Sequence, residues 1–261
     1  TADRLELASD ANVFIGADLL GSIGTLAVTA RGTRLVHARA YNEATGQMEL
    51  MDQPSGDINI QATRLAAPTW ELRALDDIYV ELSGGVTLTG FVGGLTGTDR
   101  ADTIIVKTPG ALALQNGTLS ADAVDLQAQS ITANYASRVL GRRLDLQSTG
   151  DIMLWAAVDT LAAEATDGDI RLSNATDVVL ERVIAHNGSI TVVSDGNLTA
   201  LDVETLTDAS GNDITLVAKT DLYVNYVDAG KSGGVARAHS QVTLDAAGTI
   251  REPADYVDNG K

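Results

Sequence analysis

The chain has 261 residues, 44% of them hydrophobic but only 4% aromatic, with 25 glycines and no cysteine. With 35 acidic against 18 basic residues the formal net charge is −17. This argues against nucleic acid or anionic membrane as a partner, because phosphate contacts need clustered Lys and Arg. The lack of thiols excludes disulfides, thiolate metal sites and cysteine nucleophiles. No apolar run reaches the roughly 18 residues of a membrane-spanning helix, so membrane insertion is not expected.

In chain order, the first element is LELAS (5–9), an alternating strand. The preceding TADR supplies neither the basic nor the apolar region of a secretion signal. A chain opening on Thr1 reads as a processed product or a piece of a longer repeat protein. Residues 33–53, TRLVHARAYNEATGQMELMDQ, read as two strands joined by NEATG, a hairpin protruding from the main body. GDINI (56–60) and WELRA (70–74) follow, then Ile78 and Val86 eight residues apart. The glycine-rich stretch 90–110 is out of step with its surroundings and reads as a loop insertion, a wide corner or a junction. VDLQA (124–128) and LDLQS (144–148) repeat the phrase of LELAS and WELRA: apolar, acidic, Leu, variable, small. GDIML (150–154) repeats the phrase of GDINI.

From residue 168 the repeat can be counted. Ile170, Val178 and Val183 are followed by Ile190, Leu198 and Val203, then by Ile214, Leu222 and Val227. Offsets within each row are 8 and 5; between rows every column moves by 20 and then by 24. The four extra residues fall in the turn-rich TLTDASGN between Val203 and Ile214. Val242 lies 20 after Leu222 and reads as a further repeat of that column. Within each beat apolar residues alternate, Ile170 with Leu172 and Ile190 with Val192, which places both on one face of a short strand.

Strands of 4–6 residues in a 20-residue unit cannot bury their inward side chains alone, but stacked units can. The expected fold is all-β: a single parallel right-handed β-helix of about 20-residue coils over 1–261. Gly168 is expected to take a tight corner through positive φ, and Asn174, Asn187 and Asn197 to serve other corners in left-handed conformation. Asp169 is expected to face solvent.

No catalytic constellation emerges. His37, His186 and His239 stand apart, and no serine sits in GxSxG. GKS at 230–232 lacks the first glycine of a phosphate loop. Polysaccharide-cleaving β-helices line a groove with Asp, Arg and Lys from successive coils, and Asp57, Asp151, Asp169 and Asp213 are the candidate outward acids, although corner chemistry alone explains their regular placement. Trp70 and Trp155 are the aromatics that could stack on a sugar. Four N-x-S/T triplets, at Asn116, Asn174, Asn187 and Asn197, read as corner residues followed by strand Thr or Ser.

The run VDLQAQSITANYASRVLGRRLDLQSTGDIMLWA, with GDIRLSNATDVVL and VTLDAAGTIRE, resembles filamentous-haemagglutinin-type exoproteins and related giant bacterial repeat adhesins. The resemblance implies a β-solenoid from a secreted or cell-surface protein, acting as a structural or adhesive segment. The implied partners are further copies of itself or a surface glycan or protein. The alternative is a polysaccharide-binding or -cleaving β-helix. GGLTGTDRADTI (93–104) is similar to one degenerate calcium-binding RTX unit, which implies Asp99 and Asp102 as ligands of Ca²⁺.

Overall fold

A computed structural model describes residues 2–16, 23–32, 35–42, 47–54, 56–62, 69–96, 100–230 and 239–253. These residues form a β-solenoid of about nine turns with no helix. Two parallel sheets, A and B, run along its length, and each strand pairs with its counterparts in neighbouring coils. The exception is the segment expected to be a hairpin: Leu35–Asn42 pairs antiparallel with Gln47–Pro54 in a two-stranded sheet of its own.

The three columns counted in the sequence are columns of the structure. Ile152, Ile170, Ile190 and Ile214 are direct partners in sheet A, each 0% exposed. Val178, Leu198 and Leu222 stack in sheet B, as do Val183, Val203 and Val227. The Ile column extends downward through Ile131 and Leu112 to Val86. Upward, its last member among the described residues is Val242, which therefore does not belong to the Leu222 column. Val242 lies on Ile214, 28 residues earlier, and the residue above Leu222 is Ile250. The fixed step of 20 misplaced Val242 because 28 residues, not 20, separate it from its partner Ile214. A strand follows its vertical neighbour, not a constant count.

The same local phrase serves either sheet. Leu5 and Trp70 belong to one sheet A column, bridged by Leu26. Val124 and Leu144 are partners in sheet B. Likewise Ile58 of GDINI stacks on Ile78 in sheet B, whereas Ile152 of GDIML is in sheet A. The phrase therefore marks a corner turning into a strand, with no information about which side follows.

Segment 90–110 carries two strands. Phe91–Gly93 pairs with Glu71–Arg73 on one side and Thr118–Ser120 on the other, and Ile104–Lys107 lies between Ile78–Glu81 and Val124–Gln127. Gly90 is the Cα partner of Trp70 and adopts φ of +91°; a Cβ there would collide with the Trp70 carbonyl oxygen. The bare backbone of Gly90 makes room for the main chain of the neighbouring coil.

Corners work differently from the expectation. Gly168 is not among the positive-φ glycines; it is required because a Cβ would stand about 2.5 Å from Asp151 N in the coil below. Among the described residues, Asn116 is the one non-glycine residue with positive φ. Asn174, Asn187 and Asn197 serve corners through their amides instead. Asn174, 1% exposed, donates to the carbonyls of Val158 and Thr176 and accepts the Val158 N–H at 3.0 Å.

The thin core makes a direct prediction. Ile190→Asp buries an unpaired charge between Ile170 and Ile214 and should cost roughly 4 kcal/mol or more. Val242→Asp, in the same column but 43% exposed, should cost about 1 kcal/mol. Chemical denaturation of the two variants checks this; equal losses would remove Ile190 from the interior.

Candidate functional site

Inward residues alternate with outward ones, so the stacking that builds the core also builds columns on the outer faces. On sheet B, one outer column runs Gln61, Glu81, Lys107, Gln127, Gln147, Glu164. Beside it runs Asn59, Tyr79, Ile105, Asp125, Asp145, Ala162. A groove of about 710 Å³ follows the first column from Glu81 to Glu164, flanked by corner residues including Thr108, Pro109, Gln129, Thr149 and Thr166.

Side chains on this face bond mostly within a strand. Tyr79 Oη donates to Glu81 at 2.7 Å, and Gln127 Nε2 donates to both Asp125 oxygens at 3.1 and 3.3 Å. Arg143 forms a fork onto Asp145 at 2.7 and 3.1 Å and also reaches Glu181 at 2.9 Å. Arg182 and His186 converge on Glu164 at 2.7 and 2.8 Å. The Arg182 bond first, then His186, holds the Glu164 carboxyl below its ordinary range. Burial pushes Asp125 upward, against the Gln127 bond and the charge of Lys107. The Lys107 ammonium and the Gln147 amide make no hydrogen bond or ion pair with the described residues, so both are available in the groove.

The four acids singled out from the sequence do not converge. Each accepts a backbone N–H from the next coil: Asp57 from Asp77 at 3.3 Å, Asp151 from Asp169 at 2.9 Å, Asp169 from Ser189 at 2.9 Å and Asp213 from Gln241 at 2.8 Å. Asp169 is thus less solvent-facing than expected. Its side chain is 30% exposed, with the second oxygen 2.5 Å from Arg171. These carboxylates fasten one corner to another.

The histidines have separate surroundings: His186 on Glu164, His239 3.8 Å from Asp208, and His37 on the hairpin strand Leu35–Asn42. Trp70 is 0% exposed and offers no face to a ligand, while Trp155 is half-buried on sheet A opposite Ser173. The triplet asparagines are all engaged: Asn116 with Asn134, Asn174 as above, Asn187 with Asp167, and Asn197 with Asp177. Of the GKS triplet, Lys231 and Ser232 lie outside the described residues, and the Gly230 N–H donates to Thr205. Of the two expected calcium ligands, Asp99 lies outside the described residues. Asp102 is exposed, with its N–H on the Asp76 carbonyl at 2.8 Å. Among the described residues no group of three or more His, Asp or Glu side chains is arranged to hold a metal. No described helix is long and apolar enough to cross a membrane.

The groove was missed in the sequence, although a signal existed. Gln127 and Gln147 occupy the fourth position of VDLQA and LDLQS, a position read there as variable. Only vertical pairing shows that Lys107 and Glu164 continue their line. Comparison with family models, curated proteins and solved structures finds no match for this chain.

Asp76 gives the testable electrostatic prediction. Its carboxylate accepts the Gly56 N–H at 3.1 Å, and burial, ahead of the neighbouring charges of Asp57, Asp102 and Asp77, raises its pKa. A carboxyl raised on folding opposes the fold when ionised, and the opposition is relieved as pH falls through the raised value. Asp76→Asn keeps an acceptor for Gly56 and removes the charge. It should melt up to a few degrees higher than the parent at pH 7, with the difference shrinking as pH is lowered into the carboxylate range. A variant that melts lower at pH 7 contradicts this.

Proposed function

We propose that this chain is a stiff structural or adhesive segment of a bacterial secreted or cell-surface repeat protein. The observation that supports this best is the unbroken buried column from Val86 to Ile214, matched by partner columns in sheet B. A continuous core with no internal interruption transmits force along its axis and holds apart whatever lies at its two ends. The likeness of VDLQAQSITANYASRVL and GDIRLSNATDVVL to haemagglutinin-type repeats points the same way.

In this reading the solenoid is a spacer, and the hairpin at 35–54 is a candidate surface for contact with a partner. Association along the axis with another copy is the accompanying assembly mode. Among the described residues, Val242 and Ile250 are 43% and 50% exposed.

Catalysis is not part of the proposal. Glycosidases working with two carboxylates hold them about 5–9.5 Å apart. Glu81 and Glu164 stand four coil steps apart in the groove, roughly 19 Å at the usual strand spacing. The Glu164 carboxylate is moreover already engaged by Arg182 and His186.

Small-angle scattering and electron microscopy of the purified chain test the reading. Nine turns at about 4.8 Å give a rod about 40 Å long, either single or elongating end to end. A compact, isotropic particle contradicts the spacer. Release of reducing ends or unsaturated products from a glycan panel contradicts the non-enzymatic role.

A further inference from the structure

The geometry points to the sheet B groove as a binding site for one strand of a neutral, extended polysaccharide, laid parallel to the solenoid axis. This goes beyond the spacer reading and does not depend on it, since a rod is equally stiff with the groove empty.

The first argument is periodicity. Glu81, Lys107, Gln127, Gln147 and Glu164 are successive Cα partners, so their side chains recur at the strand spacing of about 4.8 Å. A ribbon-like β-linked hexose chain advances by a similar step per sugar, so each unit can meet one side chain without the ligand bending. A coiled glycan cannot keep that register. The volume of about 710 Å³ falls in the ordinary range for ligand sites, and it is distributed along a line rather than in a bowl.

The second argument is the chemistry of the floor. Amides both donate and accept, which suits hydroxyl groups that do the same. Gln127 is held in place by Asp125 through its amide nitrogen, leaving its carbonyl oxygen to accept from a sugar hydroxyl. Gln147 and Lys107 make no bonds with the described residues, so a ligand gains their hydrogen bonds without breaking any within the protein.

The third argument is charge. Glu81 and Glu164 close the two ends of the line. Glu164 is paired with Arg182 and His186, so Glu81 and the net charge of −17 are what oppose a polyanion, and the single Lys107 does not offset them. A polycation meets Lys107 between Glu81 and the two neutral glutamines, with Glu164 already paired. A neutral chain is the occupant that every position accepts.

The test uses isothermal titration calorimetry with the full chain. Cellohexaose and mannohexaose serve as extended neutral probes, maltohexaose as a coiled neutral probe, hexagalacturonate as a polyanion and hexalysine as a cationic peptide. Binding of an extended neutral probe at least tenfold tighter than the other three is expected, with affinity rising over the first five sugars and then levelling. Gln127→Ala with Gln147→Ala should weaken binding by tenfold or more, and Lys107→Ala by about threefold. Thr191→Ala, on sheet A, should leave it unchanged. All three variants should stay folded with a cooperative melt; the glutamine pair also loses the Gln127 bonds to Asp125 and should melt slightly lower, whereas Thr191→Ala should melt as the parent does. The inference is overturned if neither extended probe binds, if the groove variants bind as the parent does while still folded, or if maltohexaose, hexagalacturonate or hexalysine binds as tightly as the extended probes or more so.

Discussion

Everything in this molecule depends on a residue finding its own kind one coil above and one coil below. Ile152, Ile170, Ile190 and Ile214 are buried because of one another; no single coil has enough depth to cover them. Parallel pairing carries that order across the whole cross-section. Once the isoleucines are aligned, the outward Thr191 and Thr215 are aligned too, as are Gln127 and Gln147 on the other sheet. The core and the groove have a single cause. Where the order is locally broken, the break has a use. An extra residue in Val178–Ala185 displaces Glu181 from the pairing of Leu161–Ala162 with Leu180–Arg182, and Arg143 reaches Glu181 at 2.9 Å.

Corners give eight of the 35 acidic residues a structural role. Asp57, Asp76, Asp151, Asp169, Asp177, Asp208, Asp213 and Asp221 each accept a backbone N–H from another coil. Backbone bonds between coils satisfy many corner donors, and at the remaining ones a short carboxylate or carboxamide supplies the acceptor. For Asp221 the Thr249 N–H bond is the main cause of a lowered pKa. Such carboxylates resemble an active-site cluster in a sequence, since they recur at regular spacing beside glycines. In space they are fasteners, and their regularity is that of the coil.

This distinction decides what could be read in advance. The three columns from Ile170 to Val227 were legible to the residue, because buried aliphatic positions tolerate few alternatives and therefore repeat. The pairing of the two strands of the hairpin was legible from the NEATG turn between them. Val242 was not, because loop length is unconstrained by the core and the count of 20 fails between Ile214 and Val242. Gly168 was identified for the wrong reason, since a close approach to the coil below leaves the same glycine in the sequence as positive φ does. The groove was least legible of all: outward positions vary freely, and Glu81, Lys107 and Gln127 share no residue type that would mark them as one line.

The central claim, that vertical register rather than a fixed repeat length organises the chain, can be tested by cross-linking. Neighbouring parallel strands bring partner Cα atoms within the 4.4–6.8 Å range a disulfide needs. Thr191→Cys with Thr215→Cys pairs residues that the register places together, 24 apart in sequence. A strict 20-residue period would instead place Gly211 above Thr191. Under mild oxidation the first pair should close nearly completely without lowering the melting temperature, while Thr191→Cys with Gly211→Cys should remain reduced. Closure of the second pair and not the first would contradict the register on which the columns, the corners and the groove all rest.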